Sequence, residues 1–579
     1  MYRPVLDSVA GSIFLTALVA MLPLVTLFVL LGVLRISAWK AALVSLLVSI
    51  LVAILAYSMP AGQAIMAGAE GAAFGFFPIL WIVINAIWLY NMTVVTGHFD
   101  VLRRSFAKVS DDQRIQAVII AFCFGALLEA LAGFGTPVAI TSVMLIALGF
   151  RPMKAAVVAL VANTAPVAFG ALAVPITTLA TVTGLPEHTL SQMVGRQTPL
   201  LGVFVPMALV YIIDKGRGVR ATLPATLVCG ISFAIAQFVT SNYLSTQLTD
   251  IVASLVGAAS VVLLLRFWRP ATPYVETEEA AVETAHVSAR YARAEEGLAS
   301  GTPAAHAGGS DHPIGAGTGT AQELAERDRG HVDTNADVWR AYAPYLVIIV
   351  IFSVSQIPAI KDALAAPGTQ FKWPGLDLQT AGGKPSTLPT FKFGWLNAAG
   401  TLMLIAGLVT IPIIGISLAK AFRAYLDTYR QLAAAIVTVM AVLGLAYVMN
   451  ASGQTATLGT WMAGAGAIFA IMSPILGWLG VAVTGSDTSS NSLFGALQVS
   501  AAAKTGLDPV LMAAANSSGG VLGKMISPQN LAIAAAAVGL SGREGDIFRK
   551  VVGWSLGFLV FMCLLVYLQS TPVLSWMVP

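Results

Sequence analysis

Three ionisable residues of this 579-residue chain, Glu129, Asp487 and Lys524, stand inside apolar runs where no surface role is open to them. Glu129 lies in Phe124-Gly-Ala-Leu-Leu-Glu-Ala-Leu-Ala132, one turn before Gly133-Phe-Gly-Thr-Pro137. Apolar surroundings penalise the charged carboxylate relative to the form that holds a proton, which makes Glu129 the leading proton carrier. The structural alternative is a fixed ion pair with Lys524. Asp487, in Gly485-Ser-Asp-Thr-Ser-Ser-Asn491, could relay protons, cap a helix or hold a cation. Lys524 could be the counter-charge of a substrate carboxylate or of Glu129. Arg196, in Met193-Val-Gly-Arg-Gln-Thr-Pro199, could attract anions or snorkel to an interface. Glu70, in a Gly/Ala-rich segment, suggests no role.

These residues sit at or beside four breaks in the apolar pattern: Gly133–Pro137, Asn163-Thr-Ala-Pro166, Gly485–Asn491 and Asn516-Ser-Ser-Gly-Gly520. A helix interrupted inside a bilayer frees N–H and C=O groups that lipid cannot satisfy, so each break must face protein or a cavity. Free helix N-termini there offer donors and partial positive charge to an anion. The alternative is ordinary Gly/Pro kinks with close small-residue packing. Gly133, Gly135, Thr136, Asn163, Thr164, Ser489, Asn491, Asn516, Ser517, Ser518 and Lys524 are therefore the candidate substrate-binding residues, with Glu129 and Asp487 as the coupling carboxyls.

The elements that must position them are membrane helices. Hydrophobic residues make up 57% of the chain and charged ones only 10%, against roughly 25% charged in soluble domains. Apolar runs of spanning length recur at 12–34, 41–57, 76–97, 155–175, 198–213, 222–239, 251–265, 340–357, 396–416, 432–449, 510–532 and 551–569. Two further stretches, 115–150 and 461–503, are apolar but broken. The expected architecture is an all-α polytopic membrane protein of about 12 spans plus two broken or re-entrant hairpins. The first run is too long for a signal peptide and reads as a retained span. Cys123, Cys229 and Cys563 each lie in an apolar run without a CxxC or His partner, which favours packing over disulfide or metal roles. No HExxH, GxSxG, phosphate loop or intramembrane His pair occurs, so neither an enzyme nor a cofactor is expected.

Charge sets the expected orientation. With the N-terminus outside, the short loops carrying Arg103, Arg104, Lys108 and Arg114, then Arg151 and Lys154, then Lys215, Arg217 and Arg220 all fall inside. So do Arg266 and Arg269, Lys420, Arg423 and Arg430, and Arg543, Arg549 and Lys550. The exception is the longer outer loop 358–395, with Lys361, Lys372, Lys384 and Lys392. The stretch 270–336 is acidic, lacks apolar periodicity and holds His286, His306, His312 and His331. It reads as a disordered cytoplasmic linker between membrane halves 1–269 and 337–579, since wide spacing argues against a metal tract. The formal net charge of +4 thus conceals a larger basic surplus at inner loops, which marks membrane topology rather than nucleic-acid binding.

The halves echo one another. Ala162-Asn163-Thr164-Ala165-Pro166 parallels Ala515-Asn516-Ser517-Ser518-Gly519. Gly170 and Gly523 follow the two Asn residues at one spacing, Pro175 and Pro528 at another. Gly149-Phe-Arg-Pro152 and Gly506-Leu-Asp-Pro509 precede them. The first broken stretch begins and ends on the basic side, the second on the opposite side, so two repeats of inverted topology are expected. This is a recurring plan of secondary transporters.

The segments Gly125-Ala-Leu-Leu-Glu-Ala-Leu-Ala-Gly-Phe-Gly-Thr-Pro-Val-Ala-Ile-Thr141, Asn163-Thr-Ala-Pro-Val-Ala-Phe-Gly170, Gly477-Trp-Leu-Gly-Val-Ala-Val-Thr-Gly-Ser-Asp-Thr-Ser-Ser-Asn491 and Met525-Ile-Ser-Pro-Gln529 resemble signature segments of the bacterial L-lactate permease family. The resemblance covers nearly the whole chain and departs at 270–336, where the linker is longer than usual. It implies proton symport of lactate, and often glycolate, across the bacterial inner membrane. It also implies a place among ion transporters with paired re-entrant hairpins. It leaves open which residue carries the proton. A small 2-hydroxy monocarboxylate, protons and the lipid bilayer are the expected partners, and oligomeric state is not legible. A cation/proton antiporter using Glu129 and Asp487 as ion sites, or a transporter of another small carboxylate, is the alternative.

Overall fold

The computed structural model describes residues 1–275 and 333–579, without Arg35, Lys108, Ala132, Phe134, Thr272, Gln356, Lys384 and Thr387. His286, His306, His312 and His331, and most of the expected linker, lie outside the described residues. Among the described residues nine helices are long and apolar enough to cross a membrane. A tenth span arises if Pro152–Ala162 and Val167–Thr183, bent by 64° to one another, count as one. The twelve-span expectation differs because helices merge or fall short. Expected spans 198–213 and 222–239 belong to one helical run, Thr198–Val239, broken at Asp214 and Lys215, the latter at φ +56°. Thr136–Ala147, Thr249–Leu264 and Ala399–Ile414 are shorter apolar helices.

Two further features depart from the sequence reading. The chain is not wholly α: Thr369–Lys372 pairs antiparallel with Thr390–Phe393 in the loop expected outside. More consequentially, Asn516–Gly520 is not a break. Helix Pro509–Gly523 runs through it, and the interruption comes at Lys524–Ile526, a 3-10 turn ended by Ser527 and Pro528. Glycine in this helix serves close approach instead. A Cβ on Gly519 would meet the Pro474 carbonyl and one on Gly523 the Trp478 carbonyl, while one on Gly477 would strike the carbonyl of Asn516. Helices Phe469–Thr484 and Pro509–Gly523 therefore lie backbone to backbone, the contact that small residues permit within a membrane.

The sequence halves interleave. Leu418–Ser452 packs on Ala38–Leu55 and Ala61–Phe74, and Gly170–Thr183 packs on Asp487–Thr505. At one end of the bundle Arg114 bonds Asp112 Oδ2 at 2.7 Å and Asp214 Oδ2 at 3.0 Å, all three side chains buried. The chain on the near side of the linker is fastened there too, with Tyr274 N–H donating to Asp112 Oδ2 at 3.2 Å. On the far side, Asp333 takes a two-pronged hydrogen bond from Arg104 at 2.6 and 2.8 Å. Arg114→Met takes from buried Asp112 its ion-pair partner and leaves Asp214 only the largely exposed Arg217, so stability should fall by about 3–5 kcal/mol. Thermal unfolding in detergent should show a lower midpoint, only partly restored by Arg114→Lys, whose ammonium cannot bridge both acids as a planar fork does. An unchanged midpoint in Arg114→Met would deny the cluster any net role.

Candidate functional site

Glu129 is carried to the centre by Gln113–Leu131, whose apolar stretch is 94% buried, against 33% for the peripheral spans Ile13–Leu31 and Glu544–Gln569. The helix stops where the sequence supplies two glycines at positive φ, Gly133 at +52° and Gly135 at +82°. Pro137 then opens Thr136–Ala147. That helix has 12 residues and rises only about 18 Å, less than the ~30 Å hydrocarbon thickness, so it cannot cross alone. The second break follows from Asn163 ending Pro152–Ala162 and Pro166 preventing its continuation. Beyond it Ala171, Leu172 and Ala173 all hold positive φ, at +46°, +59° and +59°. For residues with a Cβ that conformation costs roughly 1–2 kcal/mol each, so strain is held in the segment beside Glu129.

The second hairpin turns by other means. Gly485 at φ +75° ends Phe469–Thr484, and Ser486 caps Asp487–Thr505 by accepting from Ser489 N–H at 3.2 Å. Asp487 thus sits in the first turn of a helix whose cap is its neighbour. Segment Pro528–Ala537 lies between the two hairpin tips: a Cβ on Gly135 would reach Ile533 and Asn530, and one on Gly485 would stand 2.6 Å from Gln529 Oε1.

Two polar clusters result. In the first, Lys524 Nζ lies 2.5 Å from Glu129 Oε1, with both side chains under 10% exposed. Glu129 Oε2 is buried without a hydrogen-bond partner. Gly170 makes room for the carboxyl, since a Cβ there would be 2.8 Å from Oε1. In the second, Asp487 Oδ2 accepts from Ser517 Oγ at 2.6 Å and Asn491 Nδ2 at 3.3 Å. Asn491 also donates to the Pro175 carbonyl at 3.1 Å, tying this hairpin to the first broken helix. Asn516 donates to Asn491 Oδ1 at 2.9 Å and accepts from Gln498 Nε2 at 3.1 Å. A Cβ on Gly520, one turn before Lys524, would strike Asp487 Oδ1. Lys524 thus pairs with one carboxyl and follows the contact point of the other by one helical turn.

The two matched asparagines differ in what they leave open. Asn516 and Ser517 are engaged, whereas Asn163 Nδ2 and Oδ1, Thr164 Oγ1 and Ser518 Oγ are buried and without partners. Unmet buried polar groups are costly, and a polar ligand is one means of satisfying them. Thr136 is half-buried at the first turn of its helix, and Ser489 is buried beside its cap. A chamber of about 1180 Å³ lies on the side of the 358–398 loop, lined among others by Thr177, Thr181, Glu187, Gln247, Lys392 and Asn450.

A sequence profile described as L-lactate permease matches residues 16–573. The chain belongs to the L-lactate permease family. It is 40% identical to the L-lactate permease of Bacillus subtilis strain 168, the alignment covering 99% of this chain and 98% of that one. It is 41% identical to the glycolate permease GlcA of Escherichia coli K12, covering 98% and 97%. Among solved structures, the Alcanivorax borkumensis YdaH transporter is similar over 86% of each chain, with 15% identity and a TM-score of 0.42.

In this member of the L-lactate permease family, sequence reasoning missed Gln498, although a glutamine in a broken apolar stretch is itself a signal. It also passed over Glu70, which is fully buried with both carboxyl oxygens unpartnered against the Leu418–Ser452 helix. Arg196 is tied to Asn242 Oδ1 and the Met577 carbonyl, each at 3.0 Å, and stands apart from the Lys524 centre.

Proposed function

We propose that this chain imports a small 2-hydroxy monocarboxylate, L-lactate foremost with D-lactate and glycolate as further substrates, together with protons across the bacterial inner membrane. The observation that carries the reading is the buried Lys524–Glu129 pair, one helical turn from the point where Asp487 meets Gly520, in a core where Asn163, Thr164 and Ser518 hold unpartnered polar groups. An arriving carboxylate competes with Glu129 for the ammonium. Protonating Glu129 cancels its claim on Lys524 and frees that charge for the anion, so proton and anion load together. The amide and hydroxyl groups then suit the substrate's 2-hydroxyl and remaining carboxylate oxygen. Relatives named as lactate and glycolate permeases at about 40% identity over nearly full length support the substrate class.

The hairpin–broken helix order in each half supports two inverted repeats, 1–269 and 337–579, working by alternating access. The basic loops support a periplasmic N-terminus and a cytoplasmic linker, with the large chamber then facing the periplasm. Lactate added to proteoliposomes of the purified chain should acidify the lumen without an added cation. Proton movement that needs a cation gradient and ignores lactate would favour antiport instead. Asn163→Leu removes two unpartnered groups and should weaken apparent lactate affinity roughly tenfold at normal abundance. Unchanged affinity would mean that the substrate site lies elsewhere.

A further inference from the structure

Asp250 opens the helix Thr249–Leu264 and is 1% exposed. It does not cap that helix: its Oδ1 accepts from the Gln237 side chain at 2.7 Å, and its Oδ2 is buried with no partner. Thr249–Leu264 packs against Gly125–Leu131, which carries Glu129, and against Gly170–Thr183, the broken helix on which Glu129 rests. One turn earlier, Gln247 lines the large chamber and donates to Glu187 Oε1 at 2.7 Å. Asp250 thus lies where the chain leaves the chamber wall and enters a helix packed on the segments around Glu129.

The groups facing it are few. Gly125–Leu131 brings Glu129, and Gly170–Thr183 has no ionisable residue. Thr198–Val239 presents the neutral Gln237, its charged residues Asp214, Lys215, Arg217 and Arg220 lying at its distant central break. Val118–Phe124 contributes Cys123, which packs at Gly257, two turns further along.

We propose that Asp250 relays protons between the chamber and Glu129. Its free Oδ2 takes a proton from chamber water, and Asp250 passes one on to the Glu129 carboxylate. Glu129 thereby releases Lys524, and no net charge remains on Asp250 once the next proton is drawn in. A purely structural aspartate would need only its acceptor for Gln237, and a free, buried Oδ2 is then unexplained.

This inference rests on the proton-coupled reading above. Asp250→Asn keeps an acceptor for Gln237 and removes the exchangeable proton. In proteoliposomes with an imposed pH gradient, it should slow lactate-evoked lumenal acidification roughly tenfold or more. Lactate–lactate exchange, which needs no net proton movement, should stay within about twofold of wild type, and Asp250→Glu should recover much of the acidification rate. Wild-type acidification by Asp250→Asn overturns the relay while leaving symport intact. Equal loss of exchange and acidification in Asp250→Asn assigns the residue to structure and overturns it too. Lactate exchange without acidification in the wild-type protein strikes the symport reading itself, and the relay with it.

Discussion

Glu129→Gln is expected to abolish uphill lactate accumulation, lowering it roughly a hundredfold or more, while lactate–lactate exchange persists in the protein that folds. The amide is close in shape to the carboxyl and still offers an oxygen to Lys524, but it cannot alternate between charged and neutral forms. Lys524 is only 6% exposed, so the single substitution also takes from a buried charge the carboxylate it pairs with directly, at a cost of about 3–5 kcal/mol. Yield should fall for that reason alone. The double variant Glu129→Gln/Lys524→Met removes both charges and should recover yield without recovering transport. If the pair were only a structural tie, the neutral double variant would transport like wild type. Gradient-driven accumulation by that variant is the result that would sink the coupling role.

Gly477→Ala is expected to remove most of the folded protein, although it adds one methyl group. That Cβ would sit on the carbonyl of Asn516, and backbone cannot move aside as a side-chain tip can. Separating the helices would also loosen Gly519 against Pro474 and draw Asn516 away from Gln498 and Asn491. The control is Gly557→Ala, in a helix where a Cβ meets nothing within 4 Å. There the gain in helix propensity is about 1 kcal/mol and yield should hold or rise. Comparable abundance of both variants by size-exclusion chromatography in detergent would refute the close-contact account.

The contrast between these glycines bears on what could be read in advance. Gly133, Gly135 and Gly485 are turn signals because left-handed backbone is a local requirement, and two of the four expected interruptions coincide with them. Gly519 and Gly520 look the same in sequence but lie inside a continuous helix, where glycine answers a neighbour rather than a turn. Composition cannot separate these uses, since the neighbour at Gly519 is Pro474 on another helix. The short strands at Thr369–Lys372 and Thr390–Phe393 escaped for a related reason, being joined by a long loop rather than a tight hairpin turn.

Hydropathy, helix stops and ionisable residues in apolar runs depend on neighbours within a turn or two, and the sequence by itself determined them. From it came a helical membrane protein, its interrupted segments, and Glu129, Asp487 and Lys524 as ionisable groups within apolar segments. Partner choice was decided only by the tertiary structure. Glu129 meets Lys524 across 395 positions, and Asn491 reaches the Pro175 carbonyl across 316. Packing also split the matched asparagines, leaving Asn163 open and enclosing Asn516. Local pattern gives both the same surroundings, but each polar atom in lipid is satisfied or left wanting by whichever distant helix is pressed against it.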